Sequence, residues 1–126
     1  MSTLLKEVVF PVFVLSLGVL LLSIAFISWN TFQEHEQSLS VFAQAKETNN
    51  PQLCDTISGD DEAIDCFAYF VKQGFEQCDG VKKAVHCYTA LGVVKTDEEI
   101  CHLPLLRQQL EFKNECMARI HIERYA

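Results

Sequence analysis

Residues 8–29 read VVFPVFVLSLGVLLLSIAFISW and contain no charged side chain. A bilayer core takes about 20 apolar residues in helical form, so this stretch is expected to be a single transmembrane helix. Ser16, Ser23 and Ser28 are compatible with it, because a helical hydroxyl bonds back to a carbonyl one turn earlier. Pro11 falls near the start, where a missing N–H costs least, and Trp29 falls where an interfacial aromatic belongs. A cleaved signal peptide has a shorter apolar run, about 7–15 residues, with a small-residue cleavage site close behind it. Here the A-x-A match, Ala43-Gln44-Ala45, lies well past the run, so an uncleaved anchor is the expectation. A soluble chain of this size has no core wide enough to surround so long an apolar helix.

Beyond the anchor the pattern changes to helical amphipathicity with breaks. Residues 30–40 are a polar connection, and residues 40–48 continue an apolar-periodic helix that stops at Asn49-Asn50-Pro51, a breaker and a new N-cap. Asp60-Asp61-Glu62 opens a helix running through Cys66 to about Gln73, its acidic first turn suited to the helix dipole, and Gly74 ends it. A further helix is expected over residues 81–95, weakened by an internal Gly92. Thr96-Asp97-Glu98-Glu99 fits a capping box and opens a short turn carrying Cys101. Pro104 then starts a last helix to about Tyr125, with Leu105, Leu106, Leu110, Phe112, Met117 and Ile120 available for packing. No strand is expected. The reading is all-α: a short N-terminus (1–7), the span (8–29), a connector (30–40) and a small helical-hairpin repeat domain (41–126).

The cysteines give that domain its framework. All six follow the apolar run, as Cys54/Cys66, Cys78/Cys87 and Cys101/Cys116. Aligned on the second of each pair, the chain reads Cys66-Phe67-Ala68-Tyr69-Phe70, Cys87-Tyr88-Thr89-Ala90-Leu91 and Cys116-Met117-Ala118-Arg119-Ile120. The first cysteines align in part, as Cys54-Asp55-Thr56-Ile57 and Cys78-Asp79-Gly80-Val81, with Cys101-His102-Leu103-Pro104 more divergent. Each unit thus places one cysteine on a short turn and the next inside the following helix, a repeat of one helical unit each. Pairing within units would close three short loops worth roughly 3 kcal/mol apiece in a domain with little core of its own. The alternative joins neighbours, Cys66 to Cys78 and Cys87 to Cys101, and leaves Cys54 and Cys116 to join the ends. Within-unit pairing is the expectation.

Six cysteines in a small domain without CxxC belong where disulfides persist. The charges agree: Lys6 and the amino terminus precede the span, and no Lys or Arg follows it until Lys46. The positive-inside rule then puts the N-terminus in the cytoplasm and the domain outside. Setting aside Lys6 and Glu7, the remainder carries the whole net charge of −7, which repels nucleic acid and anionic lipid surfaces.

Candidate chemistry is sparse. Structural zinc favours C-x2–4-C spacing, whereas eleven, eight and fourteen residues intervene here. His86 beside Cys87 and His102 beside Cys101 point about 100° away from their neighbours on a helix. A redox thiol needs CxxC or a cationic setting; only Lys82 and Lys83 offer the latter. A cysteine–histidine nucleophile would draw on His35, His86, His102 or His121, but an even cysteine count leaves no thiol spare. The clusters Asp60-Asp61-Glu62-Asp65 and Asp97-Glu98-Glu99 lack the alternating ligands and glycine of a calcium loop. The aromatics Phe67, Tyr69, Phe70, Phe75 and Tyr88 have core spacing. No catalytic residue, cofactor or metal is expected.

The units Asn50-Pro51-Gln52-Leu53-Cys54 to Asp65-Cys66-Phe67, and Phe75-Glu76-Gln77-Cys78 to His86-Cys87-Tyr88, resemble the uncharacterised membrane-anchored, cysteine-paired α-helical repeat proteins of small-genome archaea and bacteria. The likeness covers residues 41–122; the third unit departs by its longer spacing and Cys101-His102. It implies a helical surface module and brings no activity with it. The functional expectation is an anchored extracytoplasmic module for protein–protein interaction or envelope structure, with the bilayer and a protein as its partners. Second stands a single-span accessory subunit of a larger membrane complex, for example in the mitochondrial intermembrane space, although twin CX9C spacing is absent. Third stands a thiol-redox or metal-dependent enzyme.

Overall fold

Good helix formers and the lack of any glycine between Gly18 and Gly59 carry one helix, α1, from Ser2 to Thr48 in the computed structural model, which describes residues 2–126. The chain divides into two compact units, Met1–His35 and Glu36–Ala126. In the first, the large apolar side chains from Val8 to Phe32 are all exposed, and the helix is long and apolar enough to cross a membrane. Ser16, Ser23 and Thr31 donate their hydroxyls to the carbonyls of Phe13, Val19 and Ile27 at 2.9, 2.8 and 2.6 Å, the back-bonding that keeps such side chains satisfied in an apolar setting. Because α1 begins at Ser2, Pro11 lies in the helix interior rather than near its start. The polar residues 30–40 are helical as well.

The second unit opens with the last turns of α1. Ser38, Val41, Phe42 and Ala45 form an i, i+3, i+4, i+7 stripe that packs the domain; Ser38 and Ala45 are buried. Asn49, in the left-handed region at φ 50°, ends α1, and the Asn50 side chain accepts from Gln52 N at 3.1 Å to cap a 3-10 turn over Pro51–Thr56. Helix α2 spans Asp60–Lys72 and stops at Gly74, whose φ of +99° suits only glycine. A second 3-10 turn, Cys78–Gly80, leads to α3, Ala84–Lys95. Two one-turn helices follow, α4 at Glu98–Cys101 and α5 at Pro104–Arg107, and then α6 at Leu110–Tyr125. No strand occurs among the described residues.

Three local expectations need correction. Helix α3 begins three residues later than residue 81, because the Asp55 carboxylate accepts from both Lys82 N and Lys83 N at 3.0 and 2.9 Å and holds that stretch as a turn. Asp97, not Thr96, caps α4, its side chain accepting from Glu99 N at 3.0 Å. Thr96 instead closes α3 in the left-handed region, at φ 52°, with Asp97 N donating to Gly92 O at 2.9 Å. The helix expected from Pro104 breaks after Arg107, where Gln109 turns back on Leu106 O, and restarts at Leu110. That break leaves Leu105 and Leu110 exposed while Leu106 and Ile120 are buried.

The core has two connected parts. The larger joins α1, α2 and α3 around Ile57, Ile64, Phe67, Phe70 and Leu91. The smaller gathers Val85, Leu106 and Ile120 around the third cysteine pair. Tyr88 and Phe112 touch both parts. Gly92, which weakens α3 on propensity alone, sits where a Cβ would lie 2.9 Å from Cys116 Sγ, so its missing side chain is what lets α3 approach α6.

Candidate functional site

The first cysteine of each pair lies on a 3-10 turn or, for Cys101, on the one-turn α4, and the second lies on α2, α3 or α6; the structure bonds them within units: Cys54–Cys66, Cys78–Cys87 and Cys101–Cys116, with Cα separations of 5.7, 5.4 and 5.7 Å. No cysteine is free, and all six are fully buried. Buried, fully paired cysteines present no thiolate to a substrate or a metal. They act as staples that tie the two 3-10 turns to α2 and α3, and α4 to α6.

The sequence-highlighted polar residues are distributed rather than convergent. His86 Nε2 lies 2.7 Å from Asp60 Oδ1, its ring packs edge-on to Phe112, and its Nδ1 is buried with no hydrogen-bond partner. His102 is exposed at the end of α4, its carbonyl accepting from Arg107 Nη2 at 3.0 Å. His121 packs against Tyr125. Lys83 Nζ donates to Ile57 O. Asp97 caps α4, while Glu98 pairs with Arg124 at 2.9 Å. Among the described residues no three His, Cys, Asp or Glu side chains cluster in a way that would hold a metal.

The acidic cluster of α2 does have a partner that the sequence reading passed over. Arg119 of α6 donates to Asp61 and Asp65 on α2, both at 2.9 Å, and to Glu115 on its own helix at 2.5 Å. Burial works against the guanidinium charge, but the hydrogen bonds with Glu115 and Asp65 outweigh it and hold Arg119 above its ordinary value. One signal was there to be read. In the aligned units, the third position after the second cysteine is Tyr69, Ala90 and then Arg119, the only charged residue in that row.

Arg119 closes one side of a groove of about 540 Å³ bounded by α2, α3 and α6. Helix α3 packs against both of the others, and the three together leave the space between them. The lining follows helical rows: Ile64, Ala68 and Lys72 at i, i+4, i+8 on α2, and Ala90, Val93 and Val94 at i, i+3, i+4 on α3. From α6 come Glu115, Arg119 and Glu123 at i, i+4, i+8, with Ile122 beside them at 65 % exposure. Apolar side chains come from all three helices and are the whole contribution of α3, while the charged ones come from α2 and α6. The groove is open to solvent, and its polar lining consists of Asp65, Lys72, Thr96, Glu115, Arg119 and Glu123.

No family model, no curated protein and no solved structure matches this chain.

Proposed function

We propose that this chain is a single-pass, membrane-anchored module whose disulfide-stapled helical domain stands on the oxidising side of the membrane, binds a protein partner there and carries no catalytic activity. One observation carries the reading: a helix exposed along its whole apolar length is joined, in the same chain, to a domain held by three fully buried disulfides. Apolar surface of that extent is stable only against lipid or other helices. Dense disulfides in so small a domain are the pattern of chains that fold outside the reducing cytosol. The α2/α3/α6 groove supports the binding role, since stacked helical units present surfaces for partners without needing reactive groups.

The test is a membrane fraction washed in alkaline carbonate, followed by alkylation of the protein with and without reductant. The expected result is a pelleted chain that retains residues 8–29 and takes up the alkylating reagent only after reduction. A soluble chain cleaved behind the apolar run, or thiols that react without reductant, would end the anchored, disulfide-stapled reading. Recovery in a stoichiometric complex after mild detergent extraction would identify the chain as an accessory subunit of a larger membrane assembly.

A further inference from the structure

We infer that the groove between α2, α3 and α6 docks one amphipathic helix of a partner protein, with an apolar face toward α3 and Lys or Arg side chains toward the α2 and α6 edges. The inference rests on the interaction-module reading and supplies the chemistry of its partner.

Shape is the first argument. All three helices present to the groove the i, i+3, i+4 rows with which helices pack on one another, and the space between those rows holds no helix. A fourth helix laid there would complete a four-helix arrangement and would read as i, i+3, i+4, i+7 anchors on its own sequence. Ala68 and Ala90 keep the walls low, so a helix backbone can approach, while Val93, Val94 and Ile122 offer apolar surface that is only partly covered or exposed.

Charge is the second argument, and it selects the partner. Three carboxylates line the groove, Asp65, Glu115 and Glu123, against two basic side chains, Lys72 and Arg119, and Arg119 also pairs with Asp61 just beyond the lining. The lining therefore carries an excess of one negative charge, and two with the adjacent Asp61, on a chain whose net charge is −7. Arg119 is shared by three of the carboxylates, yet the Asp61 and Asp65 side chains remain 76 % and 63 % exposed. Each keeps oxygen lone pairs open to a second donor, and an incoming guanidinium or ammonium would extend the network. An acidic helix would meet repulsion along both edges. A second copy of this chain, equally acidic, would meet the same repulsion.

The full chain in nanodiscs of neutral phosphatidylcholine, with empty nanodiscs as the blank, tests this against two synthetic helical peptides. They share one leucine face and differ only in carrying lysine or glutamate on the flanks. Fluorescence anisotropy is expected to show the lysine peptide binding at least tenfold tighter, with at least a fivefold loss between low and high salt. Val93→Glu should abolish binding. Glu123→Lys, at an exposed site outside the Arg119 network, should lower the lysine peptide's affinity at least threefold while leaving the disulfides intact. Equal binding of both peptides, or preference for the glutamate peptide, overturns the partner chemistry and leaves the interaction module standing. Self-association blocked by Val93→Glu overturns it in favour of a second copy. If neither peptide binds, the inference fails; photo-crosslinkers placed outside the groove, in native membranes, then decide the broader reading, which a partner captured there sustains and its absence ends.

Discussion

Tyr88 shows how a single side chain sets a pH response. Its hydroxyl donates to Asp79 Oδ1 at 2.5 Å. That hydrogen bond raises the phenol above its ordinary value of 10.0, with burial and the Asp79 charge acting in the same direction. Because the folded-state value is the higher one, the stabilisation is complete below the unfolded value and is lost as pH rises through the folded one. Tyr88→Phe is expected to lower the unfolding free energy at pH 7 by up to about 1 kcal/mol, and urea melts should show the gap to wild type narrowing above pH 10. Thr96 sits under the opposite kind of constraint, a β-branched residue at φ 52°, where only glycine, asparagine and aspartate are at ease. Thr96→Asn is expected to raise stability by about 1 kcal/mol, read as a higher thermal midpoint. Neither feature is legible in sequence, since each depends on a backbone conformation or a contact that only the folded chain defines.

At the level of elements, the helices were largely legible and their junctions were not. Asp60–Lys72 follows from its acidic first turn, apolar spacing and glycine stop, and the body of Ala84–Lys95 from its apolar spacing, all properties of neighbouring residues. The start of α3 did not follow, because its turn is held by Asp55, 27 and 28 residues earlier in the chain. Gly92 carries the same lesson in reverse. In an isolated helix Gly92→Ala would add about 1 kcal/mol of stability. Here the new Cβ would sit 2.9 Å from Cys116 Sγ and 3.4 Å from Ile100 Cγ2, and the sulfur is tethered to Cys101 and cannot withdraw. The variant is expected to be destabilised by about 1–3 kcal/mol, the usual penalty of overpacking, measured by denaturant unfolding with disulfides intact.

For the whole molecule, the two units make separate demands. Residues 8–32 expose their large apolar side chains, whereas, among the described residues, the disulfides and the buried core residues lie within 36–126. A chain beginning at Glu36 is therefore expected to be soluble without detergent and to keep the helical circular-dichroism spectrum of the domain. A chain beginning after Thr48 loses Val41, Phe42 and Ala45 from the core and is expected to unfold at lower denaturant. Sedimentation and urea titration of the two truncations distinguish these outcomes.

What the sequence determined by itself was local in physical origin. A charge-free run of bilayer length, the 3.6-residue spacing of apolar positions and cysteines placed on turn and helix in register required no knowledge of the fold. They set the all-α class, the long apolar N-terminal helix and the favoured disulfide pattern. The tertiary structure decided what depends on distant residues meeting. It chose within-unit pairing over neighbour pairing, gave Arg119 its carboxylates 54 and 58 residues away, set Gly92 against Cys116, and left an acidic, apolar-lined groove where α2 and α6 both pack on α3. Packing alone selects such contacts, because their energies depend on distances that sequence separation does not encode.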